Sequence, residues 1–415
     1  MDFSLEYTKE QEEFAEEVRE WMKANVPKDI VNVRDPVKTT DEERRKRREI
    51  GRRLGKKGWL LPGFPRKYGG GDLDLEHRYV LSQEFEKAGL AHPPYYDSGL
   101  ALAAAAILVC GTEEQKEFHL TPLCKGEIVS WQLFTEPEAG TDEASQQSNA
   151  LRHEREGEYF IVNGGKIFVG GLTTHPDPPD RFLLLTRSDL EAPRHGNLAM
   201  FLAPANLPGI TILPLDLFAS GTFAQVSGVT VDVSPAIKHQ VFFDDVRIHE
   251  SYLIGGDHDG WKVATATLEV EHGGGEANIP SPNFVVERFL SYCKSNPNVA
   301  KRLDENPQLL NSVADIYIGA EIERLLGLRN AWLASSGIPA GYAGPQLNAY
   351  SKMYGTRLTA DMANVLGPYA FTDDAEWGVE EDTYEVIQRS GLCVPPGGTP
   401  EAQKIIMSRA LRIGR

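Results

Sequence analysis

Cysteine is scarce in this chain, and the four present (Cys110, Cys124, Cys293 and Cys393) lie far apart with no C-x-x-C pair. That spacing argues for reduced thiols in a cytoplasm rather than a disulfide framework or a zinc site. The ten histidines show no HExxH or similar metal-ligand spacing, so no metal is expected. The longest apolar run, Leu100 to Cys110, is too short to span a bilayer, so no membrane insertion is expected. The N-terminal MDFSLEYTKEQEEF is acidic and lacks a basic region followed by an apolar core, so it does not read as a secretory signal, and a cytoplasmic location is expected. Basic charge is also in deficit. A formal charge of −17 argues against nucleic acid, whose phosphates need a basic face, although one local site can still be basic in an acidic chain.

What is present suits a globular protein of more than one domain. Hydrophobic residues make up 41% and charged residues 25% of 415 residues, enough to bury two or three cores. The first third has helical periodicity over Glu10–Val26, Thr40–Leu54, Leu73–Ala88 and Gly99–Cys110, with a shorter helix over Glu113–Leu120. Gly58 to Gly71, rich in Gly and Pro, predicts a loop. From Ile128 to Asp245, short β-prone runs alternate with turns, starting near Tyr159, Arg181, Leu198, Gly209 and Val241. Without helices between them they predict an antiparallel sandwich or barrel. Helical periodicity resumes beyond Trp261, with breaks at Pro280-Ser-Pro, Gly337–Pro345 and Pro395-Pro-Gly-Gly. The predicted class is therefore α+β: an N-terminal helical domain (1–127), a central antiparallel β domain (128–245) and a C-terminal helical bundle (246–415).

One segment, Trp131-Gln-Leu-Phe-Thr-Glu-Pro-Glu-Ala-Gly-Thr-Asp142, begins β-like and ends in a small-residue turn. Backbone N–H groups in such a turn can face a phosphate or ring carbonyl, and Thr135 and Thr141 add hydroxyl donors. A Pro/Gly loop joining two domains has the same local composition. The wording resembles the T-E-P-E-A-G-S-D flavin signature of acyl-CoA dehydrogenases, and the resemblance continues in register. Tyr159-Phe-Ile-Val-Asn-Gly-Gly-Lys-Ile-Phe-Val-Gly170 is similar to Y-x-x-N-G-x-K-x-W-I-T. Phe242-Phe-Asp-Asp-Val-Arg-Ile, Leu253-Ile-Gly and Gly260-Trp-Lys-Val-Ala are similar to F-x-D-V-R-V, L-L-G and G-F-K-V-A. Gly398-Thr-Pro-Glu-Ala-Gln403 with Ser408-Arg409 is similar to the terminal G-T-S-E-I-Q and its A-R.

That resemblance implies FAD as cofactor, an acyl-CoA substrate, and an electron-transfer flavoprotein or similar acceptor. It implies a homotetramer or mixed heterotetramer, FAD being shared between subunits in the family. Gln132, Phe134, Thr135, Gly140 and Thr141 would line the flavin ring and pyrophosphate. Phe168 stands where a tryptophan usually stacks on the flavin, followed by Val169, and Gly170 replaces a threonine hydroxyl near flavin N5. Gly367, Thr399 and Glu401 match further cofactor positions.

The implied chemistry needs a carboxylate of raised pKa to take an α-proton while the thioester carbonyl is polarised. In most of the family that glutamate precedes the terminal G-T, where this chain has Gly397. A minority, resembling the isovaleryl and long-chain enzymes, carries it on the helix after G-F-K-V-A, and Glu271 of Leu268-Glu-Val-Glu-His272 occupies that place. Gly397 would still offer its backbone N–H to the thioester oxygen. The bland alternative is that Glu269 and Glu271 are both solvated surface carboxylates.

Several positions depart from the pattern. His272 and Gly273-Gly-Gly275 follow the candidate base, predicting a helix end there. No R-x-x-x-F-G lies between Tyr292 and Pro307, and Q-x-x-G-G is replaced by Asn364-Val-Leu-Gly-Pro368. Such losses resemble family members built from two unlike subunits that act on bulky CoA esters. A non-catalytic partner subunit, and a flavin monooxygenase or oxidase on the same fold, are the alternatives to a competent dehydrogenase.

Overall fold

The computed structural model describes residues 7–30, 40–88, 99–153, 155–170, 178–215, 225–226, 229–230, 238–271, 284–339, 341–367, 370 and 398–413. In chain order the helices are α1 (Lys9–Asn25), α2 (Asp41–Lys57), α3 (Leu75–Lys87) and α4 (Gly99–Cys110), then α5 (Gly260–Glu271), α6 (Phe284–Ser295), α7 (Pro297–Glu305), α8 (Leu309–Ser335), α9 (Ala343–Leu366) and α10 (Pro400–Ala410). Between α4 and α5 lie β1 (Ser130–Leu133), β2 (Asn149–Arg152), β3 (Tyr159–Val169), β4 (Arg181–Arg187), β5 (Leu198–Pro204), β6 (Ile210–Leu215), β7 (Lys238–His249) and β8 (Leu253–Ile254). A two-residue pairing of Gln225–Val226 with Val229–Thr230 stands apart from them.

Local chemistry explains several helix starts. Thr8 and Thr40 each accept a hydrogen bond from the backbone N–H three residues on, while Gln11 and Glu43 reach back to the cap N–H. These reciprocal boxes satisfy helix-end donors that would otherwise lack partners. Asn296 caps α7 with Pro297 in the first helical position, a boundary the periodicity did not mark.

The chain's contacts group into two compact units that do not follow chain order. The first, Met1–Lys38, Leu75–His92 and His272–Arg415, is helical over its described elements α1, α3 and α6–α10. Its core gathers Phe289, Val299, Ile316, Tyr354, Met362 and Val365. The second, Thr39–Asp74 and Pro93–Glu271, holds the sheet with α2, α4 and α5. Its core is built on Trp131, Phe160, Phe182, Phe201 and Val241. Each such side chain contributes roughly 1.5–3 kcal/mol on leaving water.

The sheet runs β8-β5-β4-β2-β3-β7-β6, with β1 pairing β4 in addition. It is mixed rather than purely antiparallel: β1 and β2 both lie parallel to β4. The intervening β2–β3 hairpin provides the long connection that parallel pairing requires. Helix α5 starts tightly against β5, since a Cβ on Gly260 would fall 2.5 Å from the Ala199 nitrogen.

The expected helix over Glu113–Leu120 is α-helical only at Glu113–Gln115, and Lys116–Leu120 forms a π-helical turn. That turn buries His119, 1% exposed, between Phe118 and Tyr252, with no hydrogen-bond partner on either ring nitrogen. Burial, aided by the charge of Arg181, pushes its imidazole down to about 4. The unfolded chain takes up this proton near pH 6.5, whereas the folded chain resists it until about pH 4. Stability should therefore fall by about 3 kcal/mol as pH drops across that window. Urea unfolding of the wild type and His119→Phe near neutral and near pH 5 checks this. The variant should lose much of the acid dependence, and identical acid dependence would refute the assignment.

Candidate active site

The loop after β1 is built around a buried ion pair. Lys166 on β3 is fully enclosed, and its Nζ donates to Glu136 Oε1 at 2.7 Å, to the Leu185 carbonyl at 2.6 Å, to the Phe134 carbonyl at 3.2 Å, and to Gln146 Oε1. Glu136 also accepts from the backbone N–H of Gln147 at 2.5 Å and of Ser148 at 3.1 Å. Burial pushes the Lys166 ammonium down to about 8 against the pull of Glu136. Burial alone would raise the Glu136 carboxyl, but Lys166 and the two N–H groups hold it below the usual range. Both members thus stay charged near neutral pH, and they tie the loop to the sheet.

Around this anchor the loop folds tightly. Glu136 and Ala139 exchange backbone hydrogen bonds of 2.9 and 3.2 Å, and Ile167 N–H donates to the Thr135 carbonyl at 2.9 Å. Phe134 is buried, Gln132, Thr135 and Gly140 are half-buried, and Thr141 is exposed. The same Ile167 bond brings Thr135 beside the end of β3, where pairing with β7 slips register between Lys166 and Val169. Such a bulge turns a side chain out of the sheet. Phe168 is that side chain: its φ is 60° and it is 50% exposed, while Val169 beside it is buried. Gly170 follows with φ 86°. The structure therefore brings Gln132, Phe134, Thr135 and the Phe168–Gly170 turn together, with Gly140 and Thr141 beyond the Glu136 turn.

Sequence reasoning singled out the threonines and the aromatic but passed over Glu136 and Lys166, which hold them. The signal was available: both lie inside the quoted motifs, and a buried lysine needs a carboxylate.

Glu271 is the last residue of α5. Its position continues, at i+4, i+7 and i+8, the fully buried row of Thr267, Ala264 and Val263. Position 269 instead follows Thr265 and Lys262, both exposed. Gly397 lies outside the described residues, as do Gly273–Gly275 and Pro368.

The remaining expected cofactor positions belong to the helical unit. Gly367 has φ 65° at the end of α9, where Arg302 Nε donates to the Val365 carbonyl at 3.0 Å. Thr399 caps α10, its Oγ1 accepting from Ala402 N–H at 3.2 Å. Glu401 is exposed in the first turn, and Lys352 Nζ donates to the Gly398 carbonyl. Among the described residues no cluster of His, Cys, Asp or Glu is arranged to hold a metal ion. Among the same residues no helix is long and apolar enough to cross a membrane.

Comparison with known proteins accounts for this arrangement. Residues 8–127 match the acyl-CoA dehydrogenase N-terminal domain, 132–229 the middle domain and 258–411 the C-terminal domain. The short-chain-specific acyl-CoA dehydrogenase of Clostridium acetobutylicum is 26% identical over 98% of this chain and 99% of its own length. A solved structure described as the Tcur3481-Tcur3483 steroid ACAD superposes with a TM-score of 0.78 at 25% identity, covering 100% of both chains. The butyryl-CoA dehydrogenase of Megasphaera elsdenii gives 0.72 at 22%, covering 99% of this chain and 100% of that one, a likeness of fold. The chain is an FAD-dependent oxidoreductase. It belongs to the acyl-CoA dehydrogenase family.

The donor set fits that cofactor. A half-buried and an exposed threonine hydroxyl suit ring carbonyls and phosphates, and an outward-turned phenylalanine offers an aromatic face.

Proposed function

We propose that the protein removes the α and β hydrogens of an acyl-CoA thioester to give the 2-enoyl-CoA. The place of Glu271 in the chain carries this reading: by helical spacing, position 271 follows the buried Thr267, Ala264 and Val263, and position 269 follows the exposed Thr265 and Lys262. The role needs a carboxylate whose pKa a dry pocket raises toward that of a working base. In this reading Glu271 takes the α-proton, and the resemblance assigns to the Gly397 N–H the polarisation of the thioester oxygen on which charge develops. Thr135, Gly140, Thr141 and the Phe168–Gly170 turn are the groups that would hold the cofactor, and the resemblance adds Gly367, Thr399 and Glu401 as further cofactor positions. FAD, when bound, supplies the two-electron acceptor. The electron acceptor in this reading would be an electron-transfer flavoprotein or similar carrier.

Assembly with a second chain of the same fold, in a homotetramer or mixed heterotetramer, is favoured by α8. Ile318, Ile322, Leu325 and Trp332 follow one another at helical spacing and are 39–52% exposed. Such a stripe on a 27-residue helix suits another helix face. The pairing named in the Tcur3481-Tcur3483 description supports a mixed assembly and a bulky, steroid-like acyl group for this chain too.

The test is anaerobic titration of the purified chain with short, branched, long and steroidal acyl-CoAs. Flavin absorbance should bleach with one class, and light scattering on the same sample should give a mass above that of one chain. A yellow protein that no acyl-CoA bleaches, but that consumes O₂ with a reductant, would replace this reading with a monooxygenase or oxidase. A chain that holds FAD only after a partner is added would make it a subunit of a heteromer.

A further inference from the structure

We infer that Trp131 is a positioning residue for the flavin: its indole fills the space behind residue 170 and fixes the turn that presents Phe168. The inference rests on the reading that the 132–141 loop and the 168–170 turn bind FAD. A Cβ placed on Gly170 would lie 2.9 Å from Trp131 Cε2 and 3.0 Å from Cδ2 and Cζ2. Real Cβ atoms do not approach a ring so closely, and the ring has nowhere to go. It is 2% exposed, stacks on His239 at 4.6 Å and 22°, and lies 6.3 Å from Phe182 on another side. Trp131 and Gly170 are therefore matched in size, with the bulk of the pair moved onto β1.

The rest of the turn is fastened from the same side. Lys238 Nζ donates to the Gly170 carbonyl at 2.7 Å. Val169 pairs with His239, whose Nδ1 stands 3.4 Å from the Val169 carbonyl. These contacts hold a backbone that would not persist unaided. Phe168 has φ 60°, which is unfavourable for an aromatic residue, and is followed two residues later by a glycine at 86°. Such strain survives only where its surroundings over-determine it. The consequence is that residue 170 would offer only main chain to a bound cofactor, while the orientation of Phe168 depends on an indole buried behind the turn. A purely space-filling role in the core would need Trp131 for stability but would leave FAD binding uncoupled from residue 170.

The experiment is a double-mutant cycle on the holoenzyme: Gly170→Ala, Trp131→Ala and both together, with FAD affinity and flavin reduction potential as readouts. In the wild-type background Gly170→Ala meets both the indole and the left-handed backbone, and should weaken FAD binding roughly 100-fold. In the Trp131→Ala background only the backbone penalty remains, and the same change should weaken it about tenfold. Trp131→Ala alone should shift the reduction potential, and Trp131→Phe should restore most of the shift, which a merely structural role would not do. A Phe168→Leu arm separates the two levels of the argument. If Phe168→Leu weakens FAD binding yet Gly170→Ala acts equally in both backgrounds, the role of Trp131 is overturned alone. If Phe168→Leu leaves FAD affinity unchanged, the flavin reading of the turn fails, and this inference with it.

Discussion

Replacing Glu271 by glutamine should slow substrate-driven flavin bleaching roughly 10²–10⁴-fold while leaving FAD binding nearly intact. The amide keeps the shape and hydrogen-bonding capacity of the carboxyl but accepts no proton at a useful rate. The helix supplies an internal control. Residues 269 and 271 are two steps of about 100° apart and so face different ways. Position 271 continues the buried row of Val263, Ala264 and Thr267, and position 269 follows exposed Lys262 and Thr265. Glu269→Gln should accordingly change the bleaching rate little. Adding Gly397→Glu to Glu271→Gln puts a carboxylate at the family's commoner position, and part of the activity should return. Stopped-flow absorbance under anaerobic conditions measures all four proteins. A Glu271→Gln enzyme that bleaches at the parental rate would place the base elsewhere.

Lys166→Met should destabilise the fold by about 3–5 kcal/mol, the usual consequence of leaving one member of a buried ion pair without its partner. The methionine fills a similar volume, so the loss is electrostatic rather than a cavity effect. Glu136, 1% exposed in its side chain, would keep only the N–H groups of Gln147 and Ser148. The pKa of its carboxyl should then rise, because burial would no longer be offset by the ammonium. Flavin retention should fall in parallel, since the Thr135 and Phe134 segment hangs on the same pair. Adding Glu136→Gln should recover part of the stability, for the amide oxygen can still accept from those N–H groups without carrying charge. Urea unfolding at neutral pH gives the comparison. A loss below about 1 kcal/mol for Lys166→Met would mean that the pair does not anchor the loop.

The order of helices and strands was legible in the sequence, as was the motif of the loop proposed to bind flavin. Alternation of apolar residues reports burial residue by residue, which is why the runs at Arg181 and Leu198 and the helices from Gly99 and Gly260 lie close to where periodicity puts them. The threonine boxes at Thr8 and Thr40 act within one turn, so local spacing suffices for them too. Which distant residues meet depends on the fold. The parallel pairing of β1 with β4 joins Ser130 to Arg181 across 51 positions, and no local pattern encodes a partner at that distance. The same holds for Lys166 closing on Glu136 and for Trp131 lying behind Gly170. In each case the residue type was plain in the sequence, but its role depends on what the fold places within 3 Å of it, because ion pairs and steric exclusion are short-range and the chain segments that carry them are not neighbours.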